Sequence, residues 1–173
     1  PSRTEIEQYR ELNRSVVALV ERINQRFGTE GGYRPIIFAR GHHEPSTVFR
    51  YLRAADLCYV SSLHDGMNLV AKEFVAARED ERGVLVLSHF TGAASELTEA
   101  LIVNPYDLDE ASAALASALR MSQPEQQARM RAMRSLVSEF NVYRWAGRML
   151  VDAATVRRQA QARAGEEGDG AAP

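Results

Sequence analysis

Short apolar runs that alternate with helical patterns constrain the fold of this chain more than any other feature of its sequence. Each run is apolar throughout and flanked by turn residues, as expected of strands buried on both faces of a parallel sheet. Their alternation with helices predicts an α/β protein with a doubly wound, Rossmann-like sheet, which binds ligands at the carboxyl ends of its strands. The predicted strands are residues 35–39, 57–60, 83–88 and 100–103.

Helical patterns occupy most of the remaining sequence. Apolar residues at three- and four-residue steps predict a long amphipathic first helix, which Gly28 ends. Ser46 is the expected N-cap of the second helix, and Pro124 marks the start of a later one. The tail, residues 164–173, is small, glycine-rich and acidic, which predicts disorder. The predicted helices are residues 4–27, 46–55, 68–78, 94–97, 109–119, 126–140 and 142–161.

Length and charge narrow the classes of function. A chain of 173 residues, 45% of them hydrophobic, predicts one folded domain, here residues 1–163. The 21 basic and 23 acidic residues give a net charge of -2 and are spread through the sequence, which argues against a nucleic-acid partner. Cys58, the single cysteine, lies in an apolar run and is expected to pack in the core.

The termini and the hydropathy pattern bear on location. No stretch has the length of a membrane span, and the amino terminus lacks the features of a secretory signal, so the expected location is the cytoplasm. The first residue is Pro1 and not Met, which favours a fragment of a longer chain.

Two segments follow predicted strands and are therefore expected at the ligand-binding edge, residues 61–73 and 88–97. In the first, Gly66 lets the backbone approach a ligand closely, and the amides that follow open a helix where a phosphate binds. Asp65 precedes those amides and is suited to accept hydrogen bonds from sugar hydroxyls. Glu73, on the same helix, is placed to reach a ribose diol.

The same residues have an ordinary structural interpretation. Asp65 is suited to cap the following helix, Lys72 and Glu73 to be surface charges, and Glu96 to complement a helix dipole. His43 and its neighbour His42 form a pair without a third ligand, so no metal is implied. Spacing alone favours the structural interpretation.

The balance between the structural and the functional interpretation changes when the whole string of residues 65–76 is compared. It reads Asp-Gly-Met-Asn-Leu-Val-Ala-Lys-Glu-Phe-Val-Ala. It resembles the donor-site signature of the trehalose-6-phosphate synthase family. Further matching blocks are residues 2–3, 23–24, 83–88, 91–94, 96–97 and 100–106. The resemblance covers nearly all of the chain except its tail.

The resemblance implies a GT-B glycosyltransferase, in which two Rossmann-like domains face each other across a cleft. This chain is similar to the C-terminal, nucleotide-sugar-binding domain; the N-terminal acceptor domain and the basic pair that neutralises the donor diphosphate lie outside it. The implied reaction transfers glucose from UDP-glucose to glucose 6-phosphate with retention, giving trehalose 6-phosphate and UDP. UDP leaves from the front face, and its phosphate helps to deprotonate the acceptor. No cofactor or metal is implied.

The resemblance also implies roles for individual residues. Asp65, the catalytic residue, hydrogen-bonds the transferred glucose, and Glu73 holds the ribose hydroxyls of UDP. The backbone near His43 borders the uracil, and Arg3 reaches the acceptor phosphate. The other donor-site residues act through their backbone: Gly66, Met67 and Asn68 towards the sugar, and Leu69 and Val70 towards the diphosphate.

Alternatives remain open at this point. Residues 62–64 read Ser-Leu-His where many family members have Pro-Leu-Arg. A glucosylglycerol-phosphate synthase, or another transferase of the same family with a different acceptor, is therefore an alternative. An epimerase of the same architecture is disfavoured, because the signature is not that of epimerases. A truncated module that holds a UDP-sugar without turning it over is a further alternative, and the isolated chain is expected to be inactive. Homo-oligomerisation is left open.

Overall fold

The computed structural model describes residues 7–169 of the chain. Contacts divide the chain into two compact units, residues 1–43 and residues 44–173. The first unit contains one helix, and the second contains a sheet with its surrounding helices. Each unit is described by itself.

The helix of the first unit, α1, spans Glu7–Phe27 and confirms the predicted amphipathic helix over its described length. Glu7 in the first turn and Arg26 in the last complement the helix dipole. Gly28 ends the helix and donates its amide to the carbonyl of Asn24 at 2.8 Å. An added Cβ at Gly28 would lie 2.4 Å from that carbonyl oxygen, so the turn requires glycine.

The predicted strand at residues 35–39 is wrong, because this segment contains no strand. A strand needs a neighbouring backbone to satisfy its amides and carbonyls. Here the side-chain amide of Asn24 does this for a single residue: it accepts from the Ile36 amide and donates to the Ile36 carbonyl, both at 2.9 Å. Ile37, the next residue, is 87% exposed and is not a core residue.

The second unit is a parallel sheet with helices on both faces, which confirms the predicted fold class. Its three strands, β1 (Leu57–Val60), β2 (Val84–Ser88) and β3 (Leu101–Val103), are parallel in the order β1-β2-β3. The other elements are α2 (Pro45–Ala54), α3 (Leu69–Ala77), a 3-10 turn (Gly92–Ser95), α4 (Leu108–Arg120), α5 (Gln123–Glu139) and α6 (Val142–Asp169).

Two boundaries differ from the prediction. Helix α2 begins at Pro45, so Glu44 and not Ser46 occupies the N-cap position, and no side chain caps the helix. Pro45, with its fixed φ and no amide hydrogen, suits the first turn. Helix α6 continues to Asp169 and so includes residues 164–169 of the tail predicted to be disordered. The two glycines and the aspartate of this stretch oppose a helix, so its composition does not explain the extension.

Strand β2 is buried on both faces and separates two layers of core. Leu85 and Leu87 pack with Phe74 of α3 and Met130 of α5. The alternate residues of β2 pack on the opposite side with Ala118 of α4. The period of two along a strand produces this division.

Arg78, directly after α3, is a buried cation that the sequence patterns did not reveal. Its guanidinium donates to the carbonyls of Leu52, Arg53 and Ala55 at 3.3, 2.5 and 2.7 Å. It also pairs with Asp80 at 3.0 Å. The end of α2 is therefore fixed beside the end of α3.

Cys58 lies in β1 and packs against the core, as predicted. Burial raises the pKa of its thiol to about 11, so the thiol stays protonated at neutral pH. A protonated thiol is a poor nucleophile. Across residues 7–169, none of the helices combines the length and apolarity that crossing a bilayer demands.

Candidate functional site

The loop that follows β1, residues 61–68, meets the loop that follows β2 at the carboxyl edge of the sheet. The Asp65 amide donates to the Phe90 carbonyl at 3.2 Å, and the Asp65 carbonyl accepts from the Gly92 amide at 3.1 Å. The Ala93 amide donates to the Met67 carbonyl at 2.9 Å. The two loops predicted to share the ligand-binding edge are thus joined by backbone hydrogen bonds.

Gly92 allows this close approach. An added Cβ at Gly92 would lie 2.1 Å from the carbonyl oxygen of Gly66, much closer than two such atoms can come. The sequence patterns do not predict this requirement, because the two glycines lie in different loops. Gly66 itself differs: an added Cβ there would meet no atom within 4 Å. The space beside Gly66 is open to a ligand.

The carboxylate of Asp65 turns back onto the loop. Its Oδ1 accepts from the amides of Met67 and Asn68, at 3.2 and 2.9 Å, and its Oδ2 accepts from Asn68 Nδ2 at 3.0 Å. These hydrogen bonds, the Asn68 side chain first, and the nearby His64 hold the pKa of Asp65 below its ordinary value. The group is therefore ionised at neutral pH, and it acts as a hydrogen-bond acceptor and not as an acid.

The lowered pKa also has a consequence for the pH dependence of the loop. A folded-state pKa below the unfolded-state value means that folding favours the ionised form. Asp65 therefore stabilises the loop above its unfolded-state pKa. This stabilisation is lost as the pH falls through the lowered value.

Asn68, and not Asp65, is the N-cap of α3. Its backbone is left-handed, with φ 67°, and its Oδ1 accepts from the Ala71 amide at 2.9 Å. Asp65 instead caps the turn that precedes the helix. The alternative prediction that Asp65 caps the helix is therefore wrong, since Asp65 bonds the turn before α3 and Asn68 caps the helix itself.

The amides of Leu69 and Val70 begin α3. Those of the flanking residues are occupied, since Asn68 donates to Asp65 and Ala71 donates to Asn68. For Leu69 and Val70, no acceptor occurs among residues 7–169. Unpaired amides at the start of a helix, where the positive end of the helix dipole lies, favour an anion.

Glu73 lies one turn further along α3 than Leu69 and is half-buried. No donor in the described part of the chain hydrogen-bonds its carboxylate. A carboxylate without a protein partner, near a helix start that favours an anion, fits a ligand that carries hydroxyls beside a phosphate.

Two of the predicted site residues, Arg3 and His43, belong neither to these two loops nor to α3. Arg3 lies outside the described residues. His43 belongs to the first unit, so its relation to the loops of the second unit is not described. The roles of both remain predictions.

A cavity of about 850 Å³ lies beside the first loop. Met67 of that loop lines it together with Lys72, Glu96 and the α6 residues Trp145 and Arg148. Lys72 Nζ pairs with Glu96 Oε2 at 2.8 Å. The sequence patterns treat these two charges as separate surface groups, whereas the structure joins them.

Within residues 7–169, no three or more His, Cys, Asp and Glu side chains come together in an arrangement that could hold a metal ion. The site as described therefore offers hydrogen-bond donors and acceptors.

Residues 1–155 match the profile of glycosyltransferase family 20. The trehalose-6-phosphate synthase of Klebsiella pneumoniae subsp. pneumoniae is 43% identical over 152 residues, which cover 87% of this chain and 32% of the relative. The chain thus spans about a third of the length of the curated relatives that it matches.

Solved structures show the same fold. The E. coli structure bound with UDP-2-fluoro glucose has a TM-score of 0.83 and 40% identity, over 87% of this chain and 33% of that one. An α,α-trehalose-phosphate synthase (UDP-forming) from Burkholderia xenovorans, in complex with glucose-6-phosphate, has a TM-score of 0.83 and 43% identity over the same shares, 87% and 33%.

Proposed function

Since the chain belongs to glycosyltransferase family 20, we propose that it supplies the donor site of a UDP-forming α,α-trehalose-phosphate synthase. The reaction is transfer of glucose from UDP-glucose to glucose 6-phosphate with retention, giving trehalose 6-phosphate. The observation that carries the proposal is the start of α3, where unpaired amides, an ionised acceptor and an unpaired carboxylate occur together.

The relatives support this choice of substrates. The E. coli structure holds a UDP-glucose analogue, and the Burkholderia xenovorans structure holds glucose-6-phosphate. Both align with this chain at 40% identity or above. We extend these two ligands to the protein that contains this chain.

The donor is proposed to bind along the first loop and α3. The diphosphate accepts from the amides of Leu69 and Val70, and Glu73 accepts from the ribose hydroxyls. The glucose lies beside Gly66, where the space is open, with Met67 and Asn68 also facing it. The backbone near His43 borders the uracil.

Asp65 is proposed to position the transferred glucose. A carboxylate has about four lone-pair sites, so Oδ2 retains capacity for a sugar hydroxyl in addition to Asn68. The amides of Met67 and Asn68 hold the group in place before the donor arrives. Pre-organised hydrogen-bonding groups of this kind avoid reorganisation during the reaction.

The start of α3 is proposed to stabilise the negative charge of the leaving diphosphate. As the bond to glucose breaks, negative charge develops on the leaving diphosphate, and the amides of Leu69 and Val70 are directed at that position. No metal or cofactor is required by this arrangement. The leaving phosphate is proposed to take the proton of the acceptor hydroxyl.

Glucose 6-phosphate, the acceptor, is proposed to bind mainly to parts of the protein outside this chain. Residues 1–163 are proposed to form the C-terminal Rossmann-like domain, with Arg3 reaching the acceptor phosphate. A second Rossmann-like domain supplies most of the pocket for glucose 6-phosphate. The single cysteine of this chain is partly buried against the core, which suits a reducing compartment, and we propose a cytoplasmic location.

The ribose contact is tested by Glu73→Ala. Loss of charge-assisted hydrogen bonds to the ribose is expected to weaken UDP binding about tenfold, measured by calorimetric titration. Glu99→Ala, at an exposed acid outside the two loops and α3, is the control and should bind UDP as the parent does. Equal affinity of the parent and Glu73→Ala would remove Glu73 from the site.

The sugar subsite is tested by two glycine substitutions. Gly66→Ala is expected to leave the thermal unfolding midpoint and UDP binding unchanged, because the added methyl group meets only open space. It should weaken UDP-glucose binding about tenfold, because that space holds the sugar.

Gly92→Ala is the matched comparison. Its methyl group meets the Gly66 carbonyl, so the loops separate and stability falls by about 3 kcal/mol. UDP and UDP-glucose should then both bind more weakly. If Gly66→Ala left UDP-glucose binding intact, the sugar would have to lie elsewhere.

A further inference from the structure

Among the ion pairs within residues 7–169, Lys72–Glu96 differs from the others in its position. Lys72 lies in the second turn of α3, directly before Glu73, and Glu96 directly follows the 3-10 turn of the second loop. The pair therefore connects the helix that carries the proposed donor groups to the loop beside it.

The pair adds to three backbone hydrogen bonds between these two segments. They run from the Asp65 amide to the Phe90 carbonyl, from the Gly92 amide to the Asp65 carbonyl and from the Ala93 amide to the Met67 carbonyl. All three fix the loop before α3, and the helix itself packs on the segment through buried Ala71. Lys72–Glu96, at 2.8 Å, is the polar attachment that α3 makes to this segment within residues 7–169.

The fold restricts the two ends of the pair to different degrees. The side chain of Lys72 is 23% exposed and that of Glu96 is 42% exposed. The backbone of Glu96 is fixed, because its amide donates to the Ala93 carbonyl at 3.1 Å and Leu97, the next residue, is fully buried. Most exposed ion pairs contribute little because both side chains must be immobilised. Here the Lys72 side chain and the Glu96 backbone are already restricted, so less freedom is lost when the pair forms.

We propose that Lys72 and Glu96 are positioning residues for the nucleotide. Their ion pair sets the orientation of the first turns of α3, and with it the direction of the Leu69 and Val70 amides and the place of Glu73. Neither side chain needs to touch the ligand. The inference rests on the proposed function, since it concerns how the UDP site is held.

The test is UDP affinity of the intact protein with Lys72→Met, Glu96→Gln and the exchanged pair Lys72→Glu/Glu96→Lys. Each single change should weaken UDP binding about fivefold, and the exchanged pair should restore most of the loss. Lys72→Arg should bind nearly as the parent. The control is Arg53→Met, which removes an exposed ion pair of similar length, 2.7 Å.

Thermal unfolding separates positioning from general stability. The midpoints of Lys72→Met and Arg53→Met should agree, while only Lys72→Met weakens UDP binding. UDP affinity equal to that of the parent, or a midpoint far below that of the control, would overturn the inference.

Hydrogen exchange separates this inference from the proposed function. Loss of the pair should speed exchange of the Gly92 and Ala93 amides, which cross between the loops, whether or not UDP is present. If the parent fails to bind UDP, the proposed function falls, and with it the role towards the nucleotide. Unchanged exchange in Lys72→Met would overturn the attachment itself.

Discussion

A polypeptide of residues 1–173 alone is expected to form no trehalose 6-phosphate from UDP-glucose and glucose 6-phosphate above the rate without protein. The proposed reaction depends on holding both substrates in one cleft, which greatly raises their effective molarity towards each other. Most of that gain is lost when one wall of the cleft is missing. The described residues supply acceptors and amides for the donor, and the chain spans 32% of its Klebsiella relative. A cleft open to water would also hold the reactants poorly.

The measurement is direct quantification of trehalose 6-phosphate together with UDP release. Binding of UDP by the same preparation shows that the donor site is folded, so a lack of product cannot be attributed to unfolding. Sustained product formation by the purified polypeptide would contradict the proposed division of the substrates between two domains.

Asp65→Ala in the intact protein should lower kcat/KM for UDP-glucose by a factor on the order of 10² to 10³. The change removes the acceptor proposed for the sugar and also the bonds that hold the amides of Met67 and Asn68. UDP itself should bind with little change, because its proposed contacts lie further along α3. Steady-state kinetics and UDP titration on the same samples measure both effects.

Asp107→Ala is the matched control for this substitution. Like Asp65, Asp107 accepts through Oδ1 from the amides two and three residues further on, those of Asp109 and Glu110, although Asp107 is itself the N-cap of α4. Both variants lose a cap, so their unfolding midpoints should fall alike, whereas only Asp65→Ala should lose turnover. A similar kcat/KM for the two variants would leave Asp65 with a capping role alone.

The parts of the fold that the sequence predicted correctly are those fixed by local patterns. Strand β1 occupies Leu57–Val60 as predicted, and β2 differs at one end by a single residue. Continuous apolar residues are enough to identify a strand that is buried on both faces. The segment at residues 35–39 is also apolar, but its backbone pairs at Ile36 with the side chain of Asn24. Pairing depends on neighbours that a local pattern does not contain.

The site was predicted in a different way. The spacing of Asp65, Gly66 and Glu73 favoured capping and surface roles, and only the resemblance of the whole string pointed to a donor site. The structure adds what neither could supply, which is contact between separate loops. The need for glycine at position 92 and the Lys72–Glu96 pair both arise from such contacts. Residues distant in sequence that meet in space leave no periodic signal.

The attachments between the two loops bear on protein engineering. Because Asp65, Met67 and Lys72 each bond to the segment 92–96, a loop taken from another transferase would arrive without its partners. A graft of residues 61–68 alone would place a carbonyl group from another protein against Gly92, where there is almost no space for a shift of the backbone. Residues 61–96, which include β2 between the two loops, should therefore be exchanged as one segment. Libraries that aim at a new donor sugar should therefore vary both loops at once.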